Sequence, residues 1–176
     1  MKRRYRIGID GSGIDSFIKG IDEYKDWLKS GSEQLVRKLT EEGYDVASAG
    51  FQGAQYDGIN DSGVFVEDRG ETAKAVVAVG SAVLFIEFGT GVTYPDDHPE
   101  AAANGMIRGG YGLGNGKRQS WTYYGEPGTN GQVVKVTPKG QKVVTRGNPA
   151  NKPMYEAVKQ LKERLPQLVK EVFGSD

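Results

Sequence analysis

The residue types best suited to chemistry occur together in one short stretch near the middle of the chain. The stretch supplies carboxylate oxygens and one imidazole nitrogen, from Asp96, Asp97, His98 and Glu100. Such groups bind divalent cations, and a catalytic zinc site usually takes three of them in a defined geometry. Here they are crowded between two prolines, and no second histidine gives a spaced pair. We therefore predict a solvated acidic loop rather than a metal centre.

A catalytic triad is a weaker interpretation of the same histidine. A serine–histidine–aspartate site can be imagined around His98, but the chain has no Gly-x-Ser-x-Gly elbow that would expose a nucleophilic serine. We therefore assign no catalytic residue to this stretch.

Two further stretches resemble ligand-binding loops, and both depart from the required pattern. The stretch GSGIDS (11–16) approximates a dinucleotide fingerprint, but one long predicted helix follows it rather than a compact βαβ unit. The stretch YDGINDSG (56–63) has the composition of a calcium loop. However, Ile59 stands where an oxygen ligand is required, and Asp68 replaces the closing glutamate. We predict a helix-capping turn at 11–16 and assign no cofactor-binding or metal-binding residue to either stretch.

A basic, glycine-rich segment, 104–146, combines positive charge with aromatic surfaces, as nucleic-acid contacts do. Its basic and aromatic side chains include Arg108, Tyr111, Lys117, Arg118, Tyr123 and Tyr124. The whole chain nevertheless has zero net charge and a pI of about 6.6, unlike a dedicated nucleic-acid binder. Sequence-independent contact with nucleic acid is therefore kept as a secondary interpretation.

Charge is distributed unevenly along the chain. Residues 41–100 carry twelve acidic and two basic side chains, whereas residues 104–152 carry eight basic and one acidic. Such blocks can pair within one molecule, or they can provide complementary surfaces for head-to-tail association of several copies. Both interpretations stay open at the level of the sequence.

The composition excludes several classes of protein. The absence of cysteine excludes a disulfide scaffold and any cysteine-ligated zinc or iron–sulfur site. No apolar run approaches the roughly 20 residues of a membrane span. The basic start MKRRYRIGID is not followed by the apolar segment of a secretory signal. We expect a soluble protein without a membrane partner, made in a cytoplasm, its own or a host's.

The elements that position these residues are predicted from the spacing of apolar side chains. Steps of three and four residues predict a long N-terminal helix. Asp15 or Ser16 is expected to cap its start, and Gly43 to end it. A second helix is predicted over about 152–173, with a kink caused by Pro166.

Strand patterns lie mainly between the two helices. They occur at 3–9, 64–70, 73–80, 120–125 and 132–138. Residues 81–88 fit either a short helix or a strand, and residues from about 89 to 120 are predicted to form a long glycine-rich loop. The chain, 1–176, is therefore predicted to be one α+β domain. A small antiparallel β-sheet is packed by a long N-terminal helix and a C-terminal helix, with the loop as an insertion.

Four stretches of the chain have the order of pieces found in one protein family. They are YRIGIDGSGIDSFIKGIDEYKDWL, DSGVFVED, SAVLFIEFGTG and TRGNPANKPMYEAVKQL. With them the chain resembles the tail-completion or neck proteins, the head–tail joining proteins of long-tailed bacteriophages. Glu87-Phe88-Gly89-Thr90 looks like the family's Glu-aromatic-Gly-Thr signature, and the last stretch looks like its Gly-x-x-Pro turn before a C-terminal helix. The long 92–120 insertion and the order Met154-Tyr155 depart from the family pattern.

The resemblance implies a virion structural protein without catalysis, located in the neck or tail and made in the cytoplasm of a host bacterium. It implies a homo-oligomeric ring that acts as an adaptor between the head connector, on the portal side, and the tail terminator or tube. Non-specific contact with DNA in the channel is compatible with that position. Two alternatives stay open: a nucleic-acid-binding accessory protein and a small metal-dependent hydrolase.

On this hypothesis the stretch 81–100 is a hinge. Its apolar residues, Phe85, Ile86 and Phe88, are expected to anchor in the core. Gly89 and Gly91 are expected to permit a sharp reversal of the backbone. The polar residues beyond them would begin an extended loop that reaches a partner. We therefore expect Phe88→Asp to unfold the protein and His98→Ala to leave folding intact.

Overall fold

The fold is taken from a computed structural model that describes residues 11–91, 97–107 and 118–174. The described helices and strands are, in chain order, α1 (Gly11–Gln52), β1 (Gly63–Asp68), β2 (Lys74–Val79), α2 (Val83–Phe88), β3 (Trp121–Tyr124), β4 (Gln132–Thr137), β5 (Gly140–Thr145) and α3 (Pro153–Phe173). A single 3₁₀ turn, Ala102–Asn104, lies in the described part of the long loop. The predicted strand 3–9 lies outside the described residues.

Helix α1 is longer at both ends than the apolar spacing predicts. It is already helical at Gly11, so Asp15 and Ser16 lie inside the helix and the predicted cap and turn at 11–16 are wrong. The Ser16 hydroxyl instead donates to the Ser12 carbonyl one turn earlier, at 2.8 Å. At the other end the helix passes through Gly43 and ends at Gln52, so the predicted end at Gly43 is also wrong.

Glycines inside α1 mark close packing rather than helix ends. Helix α3 runs antiparallel to the C-terminal part of α1, and both Gly31 and Gly43 face it. A Cβ added at Gly31 would lie 2.3 Å from the Phe173 ring, and one added at Gly43 would lie 3.1 Å from Leu161 Cδ1. Glycine costs about 1 kcal/mol relative to alanine in a helix, and here the close approach of α3 offsets that cost.

The α1–α3 contact has an apolar seam with polar pairs at its edge. Trp27 meets Phe173 edge-to-face with ring centroids 5.4 Å apart. Lys38 Nζ lies 3.0 Å from Glu171, and Arg164 Nε lies 3.1 Å from Glu42. Because these pairs are partly exposed, each adds little, and the apolar seam supplies most of the stabilisation.

The predicted hairpin over 64–80 is confirmed. Strands β1 and β2 pair antiparallel with Val66 opposite Val76, and one face of the hairpin lies against α1. On that face Val64 and Ala78 pack against a buried cluster of Phe51, Ala82 and Ile86. The ambiguous residues 81–88 form the short helix α2, which places Ile86 in this core.

The predicted strands at 120–125 and 132–138 are also confirmed, but they are not neighbours. Strand β5 lies between them, giving an antiparallel sheet in the order β3-β5-β4. The sequence GQKVVT of β5 has only two consecutive β-branched apolar residues, so its period-2 signal is too short to detect. A register shift between Val133 and Lys135 marks an irregularity in β4.

The α+β class predicted from the sequence is confirmed, with two small antiparallel sheets in place of one. The C-terminal helix is found at the predicted place, and it stays helical on both sides of Pro166. Parts of the predicted loop, 92–96 and 108–117, lie outside the described residues. None of the described helices is both long and apolar enough to cross a bilayer.

Candidate functional site

Two stretches that are distant in the sequence are joined side by side by hydrogen bonds. Thr90 N donates to the Asn148 carbonyl at 2.8 Å, and Asn148 N donates to the Thr90 carbonyl at 3.2 Å. In addition, Asn148 Nδ2 donates a hydrogen bond to the Thr90 hydroxyl oxygen at 3.2 Å. Asn151 N completes the contact by donating to the Ile86 carbonyl at 2.8 Å. We call this contact between residues 86–91 and 146–151 the joint.

Glycine is required in the joint because the two backbones nearly touch. Gly89, Gly91 and Gly147 have φ values of 77°, 87° and 105°, a region that disfavours side chains. A Cβ added at Gly147 would lie 2.2 Å from the Thr90 carbonyl oxygen, and one at Gly91 would lie 2.6 Å from the Arg146 carbonyl oxygen. Gly89 and Gly91 thus have the backbone conformation that the sequence predicted to need glycine, and the missing side chains also make room for the second stretch.

Glu87 fixes the start of α3 to the joint. Its Oε2 accepts from Met154 N at 2.8 Å, and its Oε1 accepts from Tyr155 N at 3.0 Å. These donors at the first turn of a helix have no partner within the helix itself. The N-cap residue Lys152 supplies no side-chain cap, so Glu87 supplies one from another part of the chain. The negative charge also lies at the positive end of the helix dipole.

His98 closes the same cluster from the opposite side. It is only 5% exposed, its Nε2 lies 3.0 Å from Glu87 Oε1, and its Nδ1 accepts from Glu100 N at 3.1 Å. These contacts assign the Nε2–H tautomer, in which both ring nitrogens have partners. The ring lies against Phe88 and Tyr155, with centroids 4.5 and 5.3 Å away. The prediction that His98 belongs to a solvated loop is therefore wrong.

The Glu87–His98 pair is buried and bound by other groups of this chain. All the contacts of the carboxylate described above are to donors of this chain. In the described ranges no group of three histidine, aspartate or glutamate side chains could hold a metal ion. Two surface depressions lie elsewhere, one beside α3 and one between α3 and α1.

A second buried polar cluster ties the three-stranded sheet to the rest of the molecule. Asp57 is buried, its Oδ1 accepts from Asn130 N at 2.7 Å, and its Oδ2 accepts from the Thr145 hydroxyl. Asp57 N donates to Asn148 Oδ1, which links the cluster to the joint. Burial, followed by the nearby charge of Asp57, raises the pKa of Tyr123 to about 12, so its hydroxyl remains a neutral donor to the Glu126 carbonyl.

Asp61 holds the two residues that immediately precede α2, Ser81 and the N-cap residue Ala82. Its Oδ2 accepts from Ser81 N at 2.9 Å and from the Ser81 hydroxyl at 2.8 Å, while its Oδ1 accepts from Ala82 N at 3.0 Å. These bonds, first among them the one from Ser81 N, hold the pKa of Asp61 below its usual value. Asp57 and Asp61 therefore bind different parts of the chain and do not form the calcium-like loop that their spacing suggests.

The other residues that the sequence suggested for metal or nucleic-acid binding do not gather into one site within the described residues. Asp96 lies outside the described residues, whereas Asp97 and Glu100 are exposed. Of the basic segment, Arg108, Tyr111 and Lys117 also lie outside the described residues. Arg118 and Tyr124 are exposed, and Tyr123 is half-buried.

Sequence reasoning assigned no role to Glu87, although it recognised the stretch around it. The available signal was a lone acidic residue inside the apolar run VLFIEF, since such a residue usually has a buried partner. Comparison with known proteins found no matching family model, no matching curated protein and no matching solved structure.

Proposed function

We propose that this chain is a structural protein of the head–tail interface of a long-tailed bacteriophage. In this role it assembles as a ring adaptor between the head connector and the tail. The observation that carries the proposal is the joint. Two of the four stretches of the family resemblance, the most specific one around Glu87 and the one around Asn148, lie far apart in the sequence and bind each other in the fold. A chance resemblance gives no reason for two such stretches to meet.

The chemistry of the joint supports a role in holding a shape. Glu87 caps a helix, His98 braces the carboxylate, and the glycines allow two backbones to approach. Each group is engaged by the protein itself. A rigid joint suits a subunit that must present surfaces to neighbours at fixed angles.

Exposed apolar side chains on three separate elements support assembly. They are Ile14 and Ile18 on α1, Phe65 and Val79 on the β1-β2 hairpin, and Val134 and Val136 on β4. Large apolar side chains that cluster on a surface commonly mark protein–protein contacts. Several such surfaces on one subunit are what a ring with further partners above and below requires.

The test is to place a stop codon in the gene within the phage genome and to examine the particles by electron microscopy. We expect filled heads and separate tails, with joined, infectious particles restored when the wild-type chain is supplied in trans. Glu163→Gln, on the exposed side of α3, should restore them equally well. Joined particles of normal infectivity made without the chain would refute the proposal.

A nucleic-acid-binding accessory protein is the second candidate, and one observation favours it. Lys135 and Lys142 stand directly opposite each other on the outer sheet, and Tyr124 is the next residue in the same row. Fluorescence anisotropy with labelled duplex DNA tests this candidate. Binding that weakens steeply with salt, and that is lost in Lys135→Glu/Lys142→Glu, would support it. The hydrolase alternative has no comparable support, because Glu87 and His98 bring together only two ligand-type side chains.

A further inference from the structure

Helix α1 extends well beyond the helix that packs against it. The last residue of α3, Phe173, lies against Trp27 and Gly31. Helix α1 begins about sixteen residues before Trp27, and at 1.5 Å per residue this part is about 24 Å long. We call residues 11–26 the arm. A helix of this length gains most of its stability from packing of an apolar face.

The arm carries an exposed apolar row with an acidic row beside it. Ile14 and Ile18 are 51% and 52% exposed and lie one turn apart, and Leu28, also exposed, continues their face. Asp15, Asp22 and Asp26 are spaced by seven and four residues, so they form a second row along one side of the first. Asp15 and Asp26 make no ion pair with any described residue.

The edge of the outer sheet carries complementary side chains on its two faces. Val136 is paired with Gln141 and Lys135 with Lys142, so these neighbouring side chains point to opposite faces. Strand β4 is an edge strand, and its Val134 and Val136 are 55% and 73% exposed. Lys135 and Lys142 face each other across β4 and β5, an arrangement that is destabilising in the absence of counter-charge. Among residues 11–91, 97–107 and 118–174, no carboxylate pairs with either lysine.

We propose that the arm of one copy docks on strand β4 of a second copy. The arm lies along the edge of β4, with its Ile14–Ile18 row against Val136 on one face of the strand. The aspartate row, about 80° further around the helix, lies against the Lys135–Lys142 pair on the other face. The two surfaces are different, so the contact is head-to-tail and can repeat from copy to copy until a ring closes. The inference rests on the proposed function in one respect, because both require that copies of the chain assemble.

The absence of cysteine makes disulfide trapping a direct test. Ile18→Cys and Val136→Cys are made separately, mixed and oxidised, both as purified protein and within assembled particles. We expect a mixed disulfide dimer from the mixture, little dimer from either variant alone, and a ladder of multimers from the double variant. The control is Glu23→Cys, exposed and about 140° around α1 from position 18, which should not cross-link to Val136→Cys.

Charge reversal supplies a second readout. Lys135→Glu/Lys142→Glu in the protein with Val136→Cys should abolish the cross-link. Asp15→Lys/Asp26→Lys in the protein with Ile18→Cys should abolish it too. Mixing the two charge-reversed proteins should restore it. Three results would overturn the proposal: no cross-link in either preparation, equally strong cross-linking of Ile18→Cys with itself, or lysine reversal that removes DNA binding while the cross-link persists. If rings form in virions without this cross-link, the contact is wrong and the proposed function stands.

Discussion

At the scale of single residues, a buried carboxylate such as Glu87 must have its oxygens engaged, because burial of an unpaired charge is costly. Glu87 meets this requirement with two backbone donors of α3 and with the His98 ring. His98 in turn depends on Glu87, whose Oε1 accepts the hydrogen bond of its Nε2. The two residues therefore act as one unit.

Glu87→Gln should destabilise the protein by about 2–4 kcal/mol, because the amide nitrogen faces donors where an oxygen accepted hydrogen bonds. His98→Ala should cost about 1–3 kcal/mol, contrary to the expectation from the sequence alone. Urea denaturation followed by circular dichroism measures both changes.

The double variant Glu87→Gln/His98→Ala tests whether the two residues are coupled. If they are, its loss of unfolding free energy should be smaller than the sum of the two single losses by about 1 kcal/mol or more. Glu163→Gln, at an exposed position on α3, should change the free energy of unfolding by less than about 0.5 kcal/mol. Additive costs, or an unchanged midpoint for His98→Ala, would show that the contact between the side chains has no energetic weight.

The Asp61 carboxylate gives a prediction about acid stability. Its hydrogen bonds lower its pKa in the folded state below the unfolded value of about 3.9. The stabilisation is therefore complete above that value, and it is lost as the pH falls through the folded pKa. The urea midpoint of the wild type should fall more steeply below about pH 4 than that of Asp61→Asn. Ser81→Ala, which removes one donor, should give an intermediate slope, whereas parallel curves for all three would contradict this cause.

At the scale of elements, the joint depends on backbone shape at glycine. Gly147 and Gly140 have nearly the same φ, 105° and 107°, but an added Cβ meets the Thr90 carbonyl only at Gly147. Alanine at Gly140 should therefore cost only the conformational strain, about 1–2 kcal/mol. Alanine at Gly147 should cost at least about 2 kcal/mol more, because the second stretch must move away.

Thermal unfolding of the two alanine variants measures this difference, and Gly140→Ala serves as the matched control. Equal losses of stability at the two positions would mean that the joint tolerates separation of its two backbones.

Close approach of a second segment also explains why the predicted end of α1 was wrong. Gly43 was predicted to end α1, because the sequence of a helix does not reveal that a second helix will approach it closely.

At the scale of the whole molecule, two layers are connected through a small polar cluster. Neither α1 nor α3 packs broadly on the three-stranded sheet. Its links to the body include the cluster of Asp57, Thr145 and Asn148 and the hydrogen bond from Thr129 N to the Tyr56 carbonyl. Asp57→Asn keeps the shape of the side chain but removes its charge, and this weakens the hydrogen bonds that the carboxylate accepts. Hydrogen bonds to a charged acceptor are each worth about 1.5–3 kcal/mol. Native-state hydrogen exchange should then show faster exchange in β4 and β5, with little change at the α1–α3 seam. An equal acceleration in both layers would mean that they open as one unit.

The sequence by itself determined the α+β class, the confirmed hairpin and outer strands, and the position of the C-terminal helix. These features depend on local periodicity, which repeats every two residues in a strand and about every 3.6 in a helix. The sequence also directed attention to Glu87-Phe88-Gly89-Thr90, although it did not reveal the role of Glu87.

Only the tertiary structure decided that Glu87 caps α3, that His98 is buried, and that β5 lies between β3 and β4. Each of these facts concerns two segments far apart in the chain. A hydrogen bond between such segments has no period to reveal it in the sequence, because it exists only once folding brings its donor and acceptor within about 3 Å.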